Sequence, residues 1–310
     1  MTASRPRIGV SGCLLGQEVR HNGGHSRSRF LTDELDPYVD WVPFCPEVEI
    51  GLGTPRQPVR LTSDGRMVNR DGTADHTTAM AALPLPSGLD GYVFKARSPS
   101  CGIHGIPRYG PGGQPTDRRG RGLYAERLIS AFPLLAVEDE GRLNDPVLRE
   151  AFTERVFAVA RLRDLLSSAW RPRDLTEFHA RHKLQMLAHD PALYREAGRA
   201  AAAAGRVPRE QTAAAYGEVF SAAMARRPTH GRNANALQHA FSKIGRELDQ
   251  GRRADLADRI ESYRRGEDPL SVPIALLTHH ASGGGLPWLA QQTYLCPFPA
   301  ALRLRHSVRP

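Results

Sequence analysis

The sequence has few cysteines, no long apolar run and almost no lysine. The first two shortages argue against a disulfide-stabilised protein and against a membrane-spanning one. Its four cysteines are divided unevenly, three in the first half and one near the end, which argues against a disulfide framework. No apolar run approaches the roughly 20 residues that cross a bilayer, and the polar start does not resemble a signal peptide. We therefore expect a cytoplasmic protein with reduced thiols and no membrane association.

Charge is distributed unequally between the two halves of the chain. Residues 1–150 contain 18 basic and 18 acidic side chains, whereas residues 151–310 contain 24 basic and 15 acidic ones, which accounts for the whole net charge of +9. Arginine outnumbers lysine by thirty-nine to three, an excess that a genome rich in arginine codons can explain. It does not explain the asymmetry, which favours a polyanion-binding module joined to a second domain.

The first half alternates short apolar strands with helical segments. Arg7–Val10, Trp41–Phe44 and Gly91–Ala96 are predicted strands, and Val59–Asn69 is a predicted β-hairpin around an Asp-Gly turn. This alternation predicts a Rossmann-like α/β domain with a mainly parallel sheet over residues 1–150. Residues 103–122 are rich in Gly, Pro and Arg and are predicted to be a long mobile loop.

The second half has a different pattern, because its apolar residues recur at helical spacing from Asp145 onwards. We expect about six helices and an all-α domain over residues 151–310. One helix is predicted to run from Asp174 to Asp190 with Asp174 as its N-cap.

Three cysteines lie in short motifs punctuated by Gly or Pro: Cys13 in Gly-Cys-Leu-Leu-Gly, Cys45 in Phe-Cys-Pro-Glu, and Cys101 in Ser-Pro-Ser-Cys-Gly. Each motif follows a predicted strand. In an open α/β sheet the loops after the strands gather at the carboxyl edge, where ligands bind. Three thiols meeting there could hold one metal centre and leave a coordination position open, as catalytic metal sites do.

The residues alone leave the role of these thiols open. Zinc sites usually contain close Cys-x-x-Cys pairs, which are absent here, and a cysteine nucleophile needs one thiol with a base. Iron–sulfur clusters tolerate dispersed ligands, and a Cys-Pro step such as Cys45-Pro46 is common beside them. Three buried structural cysteines fit the spacing equally well.

At these motifs the chain resembles a known family, the TudS-type thiouracil desulfidases. The likeness covers residues 7 to about 150 and lies in four segments: Gly9–Gly16, Val19–Arg20, Phe44–Arg56 and Lys95–Gly102. Three segments of the second half resemble a known companion module: Phe178–Lys183, Gly231–His239 and Gln291–Leu295. The combination is similar to the two-domain RudS desulfidases, which remove sulfur from 4-thiouridine in tRNA.

The resemblance implies a [4Fe–4S] cluster held by Cys13, Cys45 and Cys101. It also implies that Glu47 is the base that activates water, although a surface carboxylate would look the same in the sequence. The family has a functional serine in the loop before the third cysteine. Ser100 is the favoured catalytic serine because it adjoins Cys101, and Ser98 is the other candidate.

Three further residues are candidates for substrate binding: Ser11, Arg20 and Arg56. The two arginines could hold phosphate or a carboxylate such as that of Glu47, and a structural ion pair is as consistent with the sequence. Cys296 lies in another Cys-Pro step and could be a fourth ligand. A closed cluster would lose its reactive iron, so a small buried core residue is the favoured prediction for Cys296.

The basic second half is expected to bind tRNA, because phosphate neutralisation supplies much of nucleic-acid affinity. The best candidate contacts are Arg181, Lys183, Arg226, Arg227, Arg232 and Lys243. The implied activity is non-redox hydrolytic desulfidation of tRNA 4-thiouridine, and thiolated pyrimidine small molecules are further expected substrates. Two alternatives stay open: a salvage desulfidase for free thiouracil or thiouridine nucleotides, and an iron–sulfur sensor that binds nucleic acid without catalysis.

Overall fold

A computed structural model describes residues 5–283 and 287–306 of the chain. The chain divides into two compact units, residues 1–152 and 153–310. The first contains a parallel sheet, a mixed sheet and helices, and the described part of the second is mostly helical. The predicted fold class, an α/β domain followed by an all-α domain, is confirmed.

Eight strands lie in the first unit between residue 5, where the described part begins, and residue 152. They are β1 (Arg7–Ser11), β2 (Asp40–Phe44), β3 (Val59–Thr62), β4 (Met67–Asn69), β5 (Gly91–Phe94), β6 (Ile106–Tyr109), β7 (Pro115–Gly120) and β8 (Ala136–Asp139). They form two four-stranded sheets, with orders β2-β1-β5-β8 and β4-β3-β6-β7.

The first sheet is parallel throughout, and its central strands β1 and β5 are almost entirely buried. Both are short apolar runs, as expected for strands covered on both faces. Gly9 of β1 lies opposite Tyr92 of β5. A Cβ at Gly9 would lie 2.3 Å from the Tyr92 ring, so this glycine lets the aromatic ring cover the neighbouring strand.

The second sheet is mixed, since β3 pairs antiparallel with β4 and parallel with β6. The β3–β4 pair confirms the predicted hairpin, and Gly65 at its turn has a φ of 84°. Leu61 of β3 and Met67 of β4 lie opposite each other and are buried in the core of the unit. This sheet thus shares a core with the first unit's helices and with Tyr92 and Phe94 of β5.

The prediction of a mobile loop over residues 103–122 is wrong, because this segment forms the hairpin β6–β7 and pairs with β3. Three of its six glycines and one of its three prolines lie in the turn, residues 110–114, and Pro115 starts the outermost strand of the sheet. Proline is tolerated on an edge strand. Ile106, only 2% exposed, fixes the inner strand to the core.

Twelve α-helices lie in the described residues. They are α1 (Pro46–Glu49), α2 (Thr77–Ala82), α3 (Leu123–Ala131), α4 (Pro146–Ser167), α5 (Pro172–Arg181), α6 (Lys183–His189), α7 (Pro191–Ala202), α8 (Arg209–Ala225), α9 (His230–Ile244), α10 (Gln250–Arg265), α11 (Ser271–Gly283) and α12 (Pro287–Ala290). None of these helices is both long and apolar enough to cross a membrane.

The single helix predicted over Asp174–Asp190 is two helices, α5 and α6, which meet at His182. The buried His182 ring stacks on Phe178, with the ring centroids 3.9 Å apart, and its Nδ1 bonds the Phe178 carbonyl oxygen at 2.8 Å. The N-cap of α5 is Arg171. Asp174 is the third helical residue, and its carboxylate accepts a hydrogen bond from the Arg171 backbone N–H at 2.8 Å.

Candidate functional site

Three neighbouring strands of the parallel sheet each lead to one cysteine. Ser11, the last residue of β1, lies opposite Phe44, the last residue of β2. Cys45 follows Phe44 directly, and Cys13 follows Ser11 by two residues. The register alone therefore brings Cys13 and Cys45 to the same edge, where a short 3₁₀ turn, Gly12–Leu15, redirects the chain.

Cys101 reaches the same edge on the loop that follows β5. The start of α3 holds this loop, because the Leu123 backbone N–H donates to the Pro99 carbonyl and the Tyr124 N–H to the Ser100 carbonyl, both at 3.1 Å. These donors would otherwise lack partners at a helix N-terminus. The loop is thus fixed by the helix rather than left mobile, which places the third thiol.

The three thiols line one cavity of about 420 Å³ in the first unit. Glu47, Ser98, Ser11, Arg20 and Arg56 line the same cavity. Within residues 5–283 and 287–306 no three His, Cys, Asp or Glu side chains are arranged to hold a single metal ion. Thiolate is a ligand that zinc and iron–sulfur centres share, so the donor type alone suits either centre.

The thiols influence one another's protonation. Burial, followed by the neighbouring Cys45 thiol, raises the pKa of Cys13 to about 11. Burial also raises the pKa of Cys45 and, more strongly, that of Cys101, which Cys13 and Cys45 raise further. Thiolates at this site need a cation to be stable at neutral pH, and an iron centre would supply one.

Glu47 is held in a nearly buried ion pair with Arg56. The guanidinium donates to Glu47 Oε2 from Nε at 2.9 Å and from Nη2 at 2.7 Å. The two side chains are only 6% (Arg56) and 13% (Glu47) exposed. Arg56 also donates to the carbonyl oxygens of Val19 and Gly53, so its donors are engaged within the chain and its role is to hold Glu47.

The second oxygen of Glu47 faces the two candidate serines. Ser100 Oγ donates to Glu47 Oε1 at 2.7 Å, and Ser98 Oγ lies 3.5 Å from the same atom. Ser100 is fully buried behind the carboxylate, whereas Ser98 lies on the cavity wall. Ser98 Oγ also accepts backbone hydrogen bonds from Ser100 and Cys101, so it shapes the loop that carries the third thiol.

The remaining sequence candidates lie on the cavity wall with different partners. Ser11 Oγ accepts a hydrogen bond from the Lys95 backbone N–H at 2.9 Å and lowers the otherwise raised pKa of Cys101 by a hydrogen bond. The Arg20 guanidinium has one weak bond, to the His25 carbonyl oxygen at 3.4 Å. Arg20 is therefore the candidate whose charge is most available to a bound substrate.

Sequence reasoning missed two basic residues of the cavity, Lys95 and Arg97. The Lys95 ammonium pairs with Glu140, which also accepts the Ala96 backbone N–H at 2.6 Å. Arg97 has a φ of 61°, a left-handed conformation that is uncommon for a residue with a side chain. Their position directly before the Ser-Pro-Ser-Cys motif was the available signal.

In the second unit, the predicted RNA contacts fall into three groups. The first group lies at the end of α6. Arg226 Nε is 3.6 Å from Asp190 Oδ2, and the Arg232 guanidinium donates to the His189 carbonyl oxygen. Arg227 follows Arg226 directly in the sequence.

Arg181 and Lys183 flank the α5–α6 junction, where Arg181 pairs with Glu177. Lys243 lies elsewhere, with its ammonium 4.3 Å from the Trp288 ring centroid.

The fourth cysteine differs from expectation. Cys296 belongs to the second unit and is exposed rather than buried. Its Sγ lies 3.3 Å from the Phe298 carbonyl oxygen. The prediction of a small core residue is wrong, because the buried residues at this step are Pro297 and Phe298, which follow Cys296.

Comparison with known proteins connects both units to described families. Residues 8–140 match the model of the 2-thiouracil desulfurase family, and residues 183–299 match that of a family of unknown function, DUF1722. The uncharacterized protein YbgA of Escherichia coli (strain K12) is 31% identical over 157 residues, which cover 49% of this chain and 91% of YbgA.

Two further relatives are similar over shorter stretches. The uncharacterized protein YbbK of Bacillus subtilis (strain 168) is 32% identical over 111 residues, covering 30% of this chain and 71% of YbbK. A solved structure described as the [4Fe–4S]-dependent thiouracil desulfidase TudS is 30% identical. That alignment covers 47% of this chain and 99% of the solved one, with a TM-score of 0.36.

Proposed function

The chain belongs to the 2-thiouracil desulfurase family, with a second region of the DUF1722 family, and on this premise we propose that it removes sulfur from 4-thiouridine in tRNA. The reaction is a non-redox hydrolysis in which water replaces the sulfur at C4, giving uridine and hydrosulfide. One observation carries the proposal: a single cavity brings together three thiols from three strand ends and a hydrogen-bonded carboxylate.

Cys13, Cys45 and Cys101 would hold a [4Fe–4S] cluster at this edge of the sheet. The donor set fits, because three thiols that burial keeps protonated become thiolates on binding iron. Three protein ligands leave one iron without a cysteine. When bound, the cluster would supply a thiophilic Lewis acid, which would make sulfide a better leaving group.

Glu47 acts as the general base in this proposal. Arg56 holds Oε2 by two hydrogen bonds and Ser100 contacts Oε1, so we assign the base role to Oε1 of this cavity-lining residue. Oε1 takes one proton from the attacking water, and the other proton leaves with hydrosulfide. General-base catalysis of this kind contributes about 10²–10⁴-fold in rate.

The two serines have separate roles. Ser100, fully buried, donates to Oε1 and keeps the carboxylate aimed at the cavity. Ser98, on the cavity wall, offers its hydroxyl to a pyrimidine edge. Ser11 shapes the thiol environment, and Arg20 offers a cation to the sugar-phosphate side of a nucleotide.

The helical unit binds the tRNA in this proposal. Its excess of basic side chains supports that role, and Arg181, Lys183, Arg226, Arg227, Arg232 and Lys243 remain the candidate contacts. A polyanion-binding unit should make tRNA affinity fall steeply with salt. A salvage enzyme for free thiouracil should show little tRNA binding at any salt concentration.

The test is anaerobic reconstitution with iron and sulfide, followed by incubation with tRNA that contains 4-thiouridine. Nucleoside analysis by mass spectrometry should show 4-thiouridine replaced by uridine, with an equal amount of hydrosulfide released. A parallel reaction with 4-thiouracil tests the chemistry without RNA. Turnover of the free base alone would assign the protein to salvage, and turnover of neither substrate would overturn the proposed function.

A further inference from the structure

The hairpin β6–β7 concentrates positive charge in a unit that is neutral overall. Residues 1–150 contain equal numbers of basic and acidic side chains, whereas residues 106–121 contain four arginines and one aspartate. The charge of Arg121 is balanced by Glu126, whose carboxylate oxygen lies 2.9 Å from the guanidinium. The other three, Arg108, Arg118 and Arg119, belong to the paired strands themselves.

These three guanidinium groups have no acidic partner in the part of the chain that the structure describes. The single aspartate of the hairpin, Asp117, accepts a hydrogen bond from the Arg119 backbone N–H at 2.7 Å. Arg118 and Arg119 are exposed and adjacent, and Arg108 is half-buried opposite Asp117. By contrast, Arg66 at the turn of the same sheet pairs with both Asp64 and Asp75.

One more cation extends the same sheet. Arg60 of β3 lies over the ring of Tyr109, with its guanidinium carbon 5.6 Å from the ring centroid. Exposed cations that lack counter-ions create a positive potential, which attracts a polyanion. Guanidinium groups suit phosphate in particular, because their planar donors match its oxygens.

The basic strand ends at the loop that carries the third thiol. The Gly122 backbone N–H, two residues after β7, donates to the Gly102 carbonyl oxygen at 2.7 Å. A Cβ at Gly122 would lie 2.4 Å from the Ser100 carbonyl carbon, so the two backbones are in close contact. At about 3.4 Å per residue, the Arg119 Cα lies within about 10 Å of that contact.

We propose that the hairpin β6–β7 is a binding surface for the RNA phosphodiester backbone, with Arg118 and Arg119 as its principal contacts. The inference rests on the proposed function and extends it, since it assigns an RNA contact to the catalytic unit and not only to the basic helical one. The strand that carries the thiolated base is held beside the cavity, while the helical unit binds the rest of the tRNA.

The test measures tRNA affinity against salt concentration for the reconstituted protein of both units. Arg118→Ala/Arg119→Ala removes two phosphate contacts, and each lost contact lowers the slope of log K against log salt by roughly 0.7–0.9. The slope should therefore fall by about 1.5. The matched control, Arg5→Ala/Arg66→Ala, removes two exposed arginines of the same unit that have aspartate partners, and its slope should equal that of the wild type.

A charge-preserving variant separates binding from folding. Arg118→Lys/Arg119→Lys should restore most of the salt slope, because lysine contacts phosphate as a point charge. Equal slopes for the alanine variant and its control would overturn the inference while leaving the proposed function intact, provided that the wild type still desulfurises tRNA. A wild-type protein that binds no tRNA but releases sulfide from 4-thiouracil would overturn both RNA assignments.

Discussion

The ion pair between Arg56 and Glu47 provides a sharp test of how the cavity is built. Arg56 donates two hydrogen bonds to Glu47 Oε2 and one each to the carbonyl oxygens of Val19 and Gly53, all between 2.7 and 2.9 Å. Arg56→Met removes these bonds and leaves a carboxylate that is only 13% exposed without its counter-ion.

Breaking a buried pair from one side costs about 3–5 kcal/mol. Arg56→Met should therefore lower the free energy of unfolding by about that amount. It should also lower kcat roughly 100-fold, because a base displaced by about 1 Å loses that much rate. Arg56→Lys keeps the charge but cannot donate both hydrogen bonds to Glu47. Its free energy of unfolding should therefore be lower by about 1.5–3 kcal/mol, the value of one hydrogen bond to a charged group.

Urea unfolding and the initial rate of hydrosulfide release, both measured anaerobically on the cluster-loaded protein, give the two quantities. Arg66→Met is the matched control, because Arg66 and Asp64 form an ion pair whose side chains are 55% and 57% exposed, and such pairs contribute about 0–1 kcal/mol. If Arg56→Met and Arg66→Met lower the free energy of unfolding by similar amounts, the reasoning that burial strengthens the Arg56–Glu47 pair is refuted.

Three further predictions concern other parts of the chain. Glu47→Gln should reduce turnover by about 10²–10⁴-fold with iron content unchanged, and a variant of near-normal rate would remove Glu47 from the base role. In the second unit, burial acts to raise the pKa of Glu154, but His189, Arg305 and Gln185 outweigh it and hold this pKa at about 2. A lowered carboxyl pKa stabilises the fold above the unfolded value of 4.5, so roughly 3 kcal/mol should be lost as the pH falls from about 5 to 2. Urea unfolding of Glu154→Gln against the wild type checks this, and a difference that stays constant over that range would contradict it. Finally, Gly9→Ala places a Cβ 2.3 Å from the Tyr92 ring and should destabilise the protein by about 1–3 kcal/mol, so an unchanged urea midpoint would show that the ring gives way freely.

Sequence reasoning found those features of the fold that depend on local pattern. The short apolar strands before Cys13 and Cys45 could be recognised along the chain, and parallel strands place their following loops at one edge. That rule was enough to expect the three thiols on one side of the sheet. The structure adds the register, Ser11 opposite Phe44, which no local pattern specifies.

The features that the sequence did not reveal depend on contacts between distant residues. Hairpin β6–β7 forms because β6 pairs with β3, more than forty residues earlier, so its glycines and prolines predicted a loop. Lys95 and Glu140 pair across 45 residues, a contact that no local pattern specifies. The break at His182 arises from a tertiary environment, since the ring packs between Phe178 and Phe220.

The pairing of Glu47 with Arg56 was one of several possibilities that the sequence allowed. An arginine nine residues after a glutamate can bind substrate, pair with that glutamate or lie in solvent. Its burial and the carbonyl oxygens of Val19 and Gly53 make it a partner of Glu47. The burial of the Arg56 side chain decides between these three roles, and burial depends on tertiary contacts that a local sequence pattern does not show.

The most direct test of the central claim is the Mössbauer spectrum of the protein reconstituted anaerobically with ⁵⁷Fe, recorded with and without 4-thiouracil. We predict that the signal of a single iron changes when the substrate is added. Replacing Cys13, Cys45 or Cys101 by serine should abolish the cluster signal, whereas Cys296→Ser should retain it. Full desulfidase activity in protein stripped of all iron would contradict the account.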